Sequence, residues 1–188
     1  IDAGSLGIDK TLISINALKV LQRLTKSGYQ AFLVGGCIRD LLLGIRPKDF
    51  DVATDAEPEE IKRLFRNCRL IGRRFRLAHI RFGRELIEVA TYRSSAESDN
   101  ERSKHDNKGR ILRDNVYGSI EDDVFRRDFK CNALYYDSDK DKVWDFVDGL
   151  NDIEVCQLNF IGDPVKRIQE DPVRMLRAVR FKAKLNFK

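Results

Sequence analysis

Between residues 35 and 51 the chain reads Gly-Gly-Cys-Ile-Arg-Asp-Leu-Leu-Leu-Gly-Ile-Arg-Pro-Lys-Asp-Phe-Asp. A glycine pair, a short apolar run and an Asp-x-Asp pair fall together in this stretch. Gly35-Gly36 can turn sharply and admit a phosphate close to the backbone, because glycine carries no side chain. A helix starting at Gly36 would aim unpaired N–H groups at an anion. Asp49 and Asp51, two apart on an extended segment, project to one face while Phe50 points to the core. Two such carboxylates repel, and one pKa rises unless a cation lies between them. Magnesium suits that position, since it takes oxygen ligands and keeps coordination sites for substrate phosphates. The spacing is neither that of a Walker A loop nor Gly-x-Gly-x-x-Gly, so those fingerprints lend no support. Together the parts point to metal-dependent transfer of a nucleotidyl group.

Three other segments carry chemistry. Glu88 is an acid inside the apolar run Leu86-Ile87-Glu88-Val89-Ala90, where it either faces solvent or supplies a third carboxylate that binds metal or accepts a proton. Arg126-Arg127-Asp128-Phe129 is followed by Asn132, and a helical pattern from Ser119 to Tyr135 would place Asp128 and Asn132 on one face. Arg127 could there meet a triphosphate, because a guanidinium donates two parallel hydrogen bonds to phosphate. In Glu170-Asp171-Pro172-Val173-Arg174, the spacing of Asp171, Arg174 and Arg177 makes a polar helix stripe. An acid and an arginine side by side offer acceptor and donor groups to a base edge.

The elements that must position these residues follow from periodicity. Ser14 to Ser27 reads as an amphipathic helix with Ala17, Leu18, Leu21 and Leu24 at helical spacing and Gly28 as its stop. Ala31 to Val34 reads as a buried strand, Cys37 to Leu43 as a helix ended by Gly44, and Phe50 to Thr54 as a second strand. Glu57-Pro58 opens another helix. Cys68 to Ile71, Ala78 to Phe82 and Leu86 to Tyr92 read as strands, the last two a hairpin through Gly83. From Ser94 to Arg110 almost nothing is apolar, which predicts a mobile loop. Lys142 to Phe146 and Gln157 to Ile161 read as extended, and Asp171-Pro172 starts a helix with Val173, Leu176, Val179 and Ala183 as its apolar stripe. The chain therefore predicts an α/β (α+β) head with a mixed sheet flanked by helices. Its expected divisions are an N-terminal helix (1–28), the catalytic head (29–160) and the start of a helical neck (161–188).

Composition narrows the setting. The 188 residues are 42% hydrophobic and 35% charged, with a net charge of +5 that would not by itself identify a nucleic-acid binder. Its distribution says more: Arg63, Arg66, Arg69, Arg73, Arg74, Arg76, Arg81 and Arg84 crowd one region, and Arg126, Arg127, Arg174, Arg177 and Arg180 another. Arginine suits phosphate recognition. No apolar run reaches membrane-spanning length, which argues against a membrane partner. Four widely spaced cysteines, Cys37, Cys68, Cys131 and Cys156, form no zinc-like pairs and suit a reducing cytoplasm.

Five ordered motifs carry a family resemblance: Gly35-Gly36-x-x-Arg39-Asp40, Asp49-x-Asp51, Arg126-Arg127-Asp128-Phe129 with Asn132, Asp148-Gly149-Leu150, and Glu170-Asp171-x-x-Arg174. In this order they resemble the motifs of class II nucleotidyltransferases, the CCA-adding enzymes and bacterial poly(A) polymerases. The runs Leu70 to Ile80, Leu112-Arg113-Asp114-Asn115 and Gly118-Ser119-Ile120-Glu121 are similar to the poly(A) polymerase branch. Lys130 and Cys131 depart from the Thr and aliphatic residue that pattern carries after Phe129.

The resemblance implies template-independent AMP transfer from ATP to an RNA 3′ end, with CCA addition to tRNA as the alternative. It implies that Asp49 and Asp51 hold two magnesium ions, with manganese as the alternative metal. Gly35, Gly36 and Arg39, beside Asp40, would contact the triphosphate. Asp128 and Asn132 would orient the ribose or complete the site. Asp171 and Arg174, continued by Arg177, would read adenine. Glu88 is favoured as the third carboxylate, with Asp128 essential. The expected partners are ATP and RNA, the expected state a monomer, and the chain a fragment whose relatives continue into further helices.

Overall fold

The computed structural model describes residues 1–72, 76–94 and 117–188, together with the backbone of 104–105 and 111–113. Its main sheet has seven strands: β1 (Ala31–Val34), β2 (Phe50–Thr54), β3 (Cys68–Ile71), β4 (Leu77–Phe82), β5 (Glu85–Thr91), β8 (Leu134–Asp137) and β9 (Lys142–Asp145). They lie in the order β3-β4-β5-β2-β1-β8-β9. β2 and β5 run parallel and the other neighbours antiparallel. β6 (Lys104–His105) and β7 (Ile111–Arg113) form a separate small pair. Of the expected mobile loop, Ser94 is described and buried, its carbonyl accepting from Arg126 Nη1 at 2.9 Å; apart from β6, its remaining residues lie outside the described residues, as do Arg73, Arg74 and Phe75.

Strand alternation gives this sheet two unlike faces. On one face, Leu33, Val52, Ala78, Ile80, Ile87 and Val89 are sealed by α1 (Ile15–Lys26), α2 (Gly36–Leu42) and α3 (Pro58–Leu64) in a single core. α1 contributes Ala17, Val20, Leu21 and Leu24; Ser14 caps its start and Ser27 its end. Glu57 and Glu60 form a capping box on α3. On the other face, Phe32, Val34, Ala53 and Tyr135 make a smaller core with Tyr92 and with Val124 of α4 (Ile120–Arg126). Beyond that core the second face is open among the described residues, with Asp51 and Arg69 exposed upon it.

The helix expected over Ser119 to Tyr135 is a helix only to Arg126. Arg127 and Phe129 are extended, a 3₁₀ turn spans Lys130–Asn132, and Tyr135 belongs to β8. The cause is competing hydrogen bonds. Arg167 of α6 (Pro164–Glu170) donates through Nη2 to the carbonyls of Arg126 and Arg127, at 2.8 and 2.7 Å. Asp128 Oδ1 accepts from the Phe129 N–H at 2.9 Å, an Asx-type bond that competes with helix. Asp128 and Asn132 therefore share no helix face.

The chain then turns at Asp148 into α5 (Gly149–Glu154), a helix the periodicity did not suggest. A Cβ on Gly149 would lie 2.3 Å from the Lys130 carbonyl oxygen, so only glycine fits there. The Gln157 to Ile161 segment is extended beside the Asp128–Lys130 stretch, with Ile161 N–H bonded to Asp128 O at 3.0 Å.

The last helix, α7 (Val173–Leu185), docks on the side opposite to the expected one. Val173, Leu176 and Val179 are exposed, Leu176 to 72%, whereas Ala178, Phe181 and Leu185 pack on the core. Phe181 decides the orientation: the guanidinium groups of Arg39 and Arg177 lie 5.2 and 5.4 Å from its ring centre. Such cation–π contacts favour this rotation of the helix.

Candidate active site

β1 delivers the chain to Gly35, whose φ of +80° is a conformation that favours glycine. A Cβ there would stand 3.7 Å from Arg127 Nη1, 3.9 Å from the Asn132 carbonyl oxygen and 4.0 Å from Asp51 Oδ2. Three groups from three separate elements thus converge where a side chain is missing. α2 begins at Gly36, as the sequence suggested.

Asp51 pairs in register with Val34 of β1 on one side and Glu88 of β5 on the other. It is exposed toward the open face but crowded by protein elsewhere. This desolvation, reinforced by Glu88 and Asp49 against the opposing pull of Arg127, raises its pKa to about 6. Asp49 is exposed just ahead of β2. Glu88 Oε2 lies 3.0 Å from His79 Nε2 across the β4–β5 pairing. Uncompensated negative charge at Asp51 fits a divalent cation held by oxygen ligands with substrate completing its shell. Among the described residues no three His, Cys, Asp or Glu residues group to hold a metal on their own.

Arg127 is held from behind. Its Nη2 donates to Asp123 Oδ2 at 2.8 Å and its Nε to Tyr135 Oη at 2.8 Å, while Tyr135 donates to Asp123 at 2.7 Å. Burial would lower its pKa, but Asp123 and Tyr135 outweigh that and raise it, so the guanidinium stays charged. With these bonds fixing its plane, Nη1 is the nitrogen directed at the Gly35 cradle.

The Arg39 guanidinium lies against the glycine pair, with Nη2 3.3 Å from where a Cβ on Gly36 would stand, and is held by protein partners. Arg39 is 2% exposed; its Nε and Nη2 donate to Asp40 Oδ1 at 3.0 and 2.5 Å, and its Nη1 to Asn132 Oδ1 at 2.5 Å. Lys184 reaches Asp40 Oδ2 at 3.5 Å. Asp128 accepts from Arg177 Nε at 2.5 Å. Arg39, Asp40, Asn132, Asp128 and Arg177 therefore form a lattice that fastens α7 behind the cradle.

Asp171 and Arg174 meet at the α6–α7 junction. Asp171 accepts from the Val173 N–H at 3.1 Å, and Arg174 Nη1 donates to Glu170 Oε2 and the Arg167 carbonyl at 2.8 and 2.7 Å. Glu170 also takes Arg167 Nη1 at 2.8 Å, and its pKa is lowered, chiefly by Arg174. Arg167, Asp123, Tyr135 and His79 were not singled out from sequence. Only Asp123 and Arg127 carried a local signal, an acid and an arginine four apart on a helix.

The sequence and the fold resemble those of known proteins. The family model for the poly(A) polymerase head domain matches residues 31–159. The chain belongs to that family. It is 56% identical to poly(A) polymerase I of Haemophilus influenzae over 99% of its own length and 42% of the relative's. It is 37% identical to a CCA-adding enzyme of Lactobacillus helveticus, over 93% of this chain and 42% of that one. The Bacillus stearothermophilus CCA-adding enzyme, solved in complex with CTP, superposes with a TM-score of 0.74 at 33% identity, covering 91% of this chain and 39% of that one. The chain thus spans about two fifths of the length of these relatives. Among the described residues no helix is long and apolar enough to cross a membrane.

Proposed function

We propose that the chain carries the catalytic head of a template-independent polynucleotide adenylyltransferase, which transfers AMP from ATP to RNA 3′ ends. The observation that carries this reading is the convergence of Asp51, Arg127 and the Asn132 carbonyl on the side-chain-free Gly35. Asp49 and Asp51 would hold magnesium, which when bound lowers the pKa of the attacking 3′-hydroxyl and offsets the charge of the leaving pyrophosphate. Arg127 donates to the triphosphate, its Asp123–Tyr135 backing fixing the direction in which Nη1 points. Gly35 lets the phosphates approach the backbone. Glu88, steadied by His79, is the acid placed beside Asp51 to accept the hydroxyl proton.

Arg39 and Asp40 act through Asn132 and α7 rather than on the nucleotide. Asp128 and Arg177 keep α7 docked, and Asp171 with Arg174 offers acceptor and donor to the adenine edge. The higher identity to a poly(A) polymerase than to a CCA-adding enzyme favours adenylate addition. Four free thiols, two of them buried, suit the reducing cytoplasm in which such an enzyme would work.

The test offers an oligoribonucleotide and each NTP separately, with and without Mg²⁺. Extension with ATP that requires Mg²⁺ is expected. Incorporation of CTP onto tRNA lacking its terminus, in place of ATP-dependent tailing, would overturn the reading in favour of CCA addition.

A further inference from the structure

A row of paired residues crosses the open face: Arg69 of β3 opposes His79, His79 opposes Glu88, and Glu88 opposes Asp51. Directly paired residues project from the same side of a sheet. With neighbouring strands about 4.8 Å apart, Arg69 stands about 14 Å from the Asp51 position. At this outer end is a cavity of about 290 Å³ lined by Asn67, Arg69, Ile71, His79, Arg81 and Leu86. Its wall is pinned by two bonds between Asn67 and Arg81: Arg81 N–H to Asn67 O at 3.2 Å, and Asn67 Nδ2 to Arg81 O at 2.7 Å.

The charges here are unspent. Arg69 and Arg81 are exposed, and neither guanidinium meets an acid or carbonyl partner among the described residues. The acids of the adjoining strand are already engaged, Glu88 by His79 and Glu85 by Asn16 Nδ2 at 2.5 Å. Ile71, 41% exposed and two residues beyond Arg69 on β3, and Leu86, paired with Arg81, add apolar surface to the lining. Cationic groups beside apolar surface suit the phosphates and bases of single-stranded nucleic acid.

Its position separates it from the nucleotide cradle. In the strand order β4-β5-β2-β1, the cavity lies beyond β5 while Gly35 and Arg127 lie past β1, so the carboxylates stand between two cationic sites. In-line displacement at the α-phosphate puts the attacking and leaving oxygens on opposite sides. If Arg127 takes the pyrophosphate side, the opposite site falls to the strand that brings the hydroxyl.

We propose that the Arg69–Arg81 cavity is a subsite for the RNA primer, binding phosphate and base a few nucleotides upstream of the reacting 3′ end. The proposal rests on the adenylyltransferase reading and adds the path of the RNA across β4 and β3.

The test is equilibrium binding, by fluorescence anisotropy, of oligoadenylates of two, four and eight nucleotides ending in 3′-deoxyadenosine, at several salt concentrations. The wild-type protein should bind the longer oligomers more tightly than the dinucleotide. Arg69→Gln with Arg81→Gln should weaken the eight-nucleotide oligomer by about tenfold or more and leave the dinucleotide unchanged. It should also lower the slope of log affinity against log salt by about 1.4, for two single-strand phosphate contacts. Arg69→Lys with Arg81→Lys should keep that slope, and Ile71→Glu, which puts a carboxylate in the lining, should weaken binding as the double variant does. ATP binding in the presence of Mg²⁺ should be unchanged in the double variant. Equal affinity and slope in wild type and double variant, or no length dependence in the wild type, would overturn the subsite. Loss of Mg²⁺-dependent ATP binding in the wild type itself would instead overturn the functional reading.

Discussion

The open face around Asp51 and the docked helices behind Asp128 are built from the same residue types, acids and arginines, yet they settle their charges differently. Behind Asp128 acids and arginines pair: Arg39 with Asp40, Arg177 with Asp128, and Arg174 and Arg167 with Glu170. On the open face no side chain among the described residues is bonded to Asp51, and desolvation, reinforced by Glu88 and Asp49, pushes it up to about 6. A satisfied lattice holds a shape, whereas an unsatisfied cluster stores an affinity for what would neutralise it. On the proposed function, the contrast would separate residues that meet the ligand from residues that place them, although the sequence motifs mix the two kinds.

The sharpest way to break this contrast is Asp51→Asn. AMP transfer should fall by about 10³-fold or more, as expected when charge stabilisation at a reacting centre is lost. Stability should move the other way. A folded-state pKa raised to about 6 means that Asp51 favours the fold when protonated, and that this contribution disappears as pH rises through 6. The variant should therefore melt above the wild type at pH 7, and the gain should shrink toward pH 4. Thermal melts across that range check this, and a destabilised variant at pH 7 would contradict it.

Asp128→Ala should do the reverse, leaving Arg177 and the Phe129 N–H without their acceptor. A loss of about 2 kcal/mol is expected for hydrogen bonds to a charged group, seen as a lower midpoint in denaturant. No change would place Asp128 among the ligand-facing residues instead. The smallest effect belongs to Arg174→Ala. Preference for ATP over CTP should fall by about tenfold, the range of a good polar contact, before overall turnover collapses. Intact discrimination would remove Arg174 from base reading.

Much of the head was legible because its signals are local. Strands β1 and β2, helix α2 and its Gly44 stop follow from short apolar runs and glycines, and they carry Gly35 and Asp51 to their places. The segment after Arg126 was illegible because the groups that end the helix there come from Arg167, some forty residues on. The rotation of α7 failed for a like reason. Its apolar stripe obeys helical spacing, but Arg39 and Arg177 hold Phe181 on the other side. The inward turn of Arg39 could not be read from its motif, since its partner Asn132 lies 93 residues away in sequence.

The most direct test of the charge-storing face is calorimetric titration of ATP into the protein with and without Mg²⁺, repeated with Asp49→Asn and Asp51→Asn combined. The wild type should bind ATP at least about tenfold more tightly with Mg²⁺, a coupling of about 1.4 kcal/mol, and the double variant should gain nothing from the metal. An equal gain in both proteins would contradict the account.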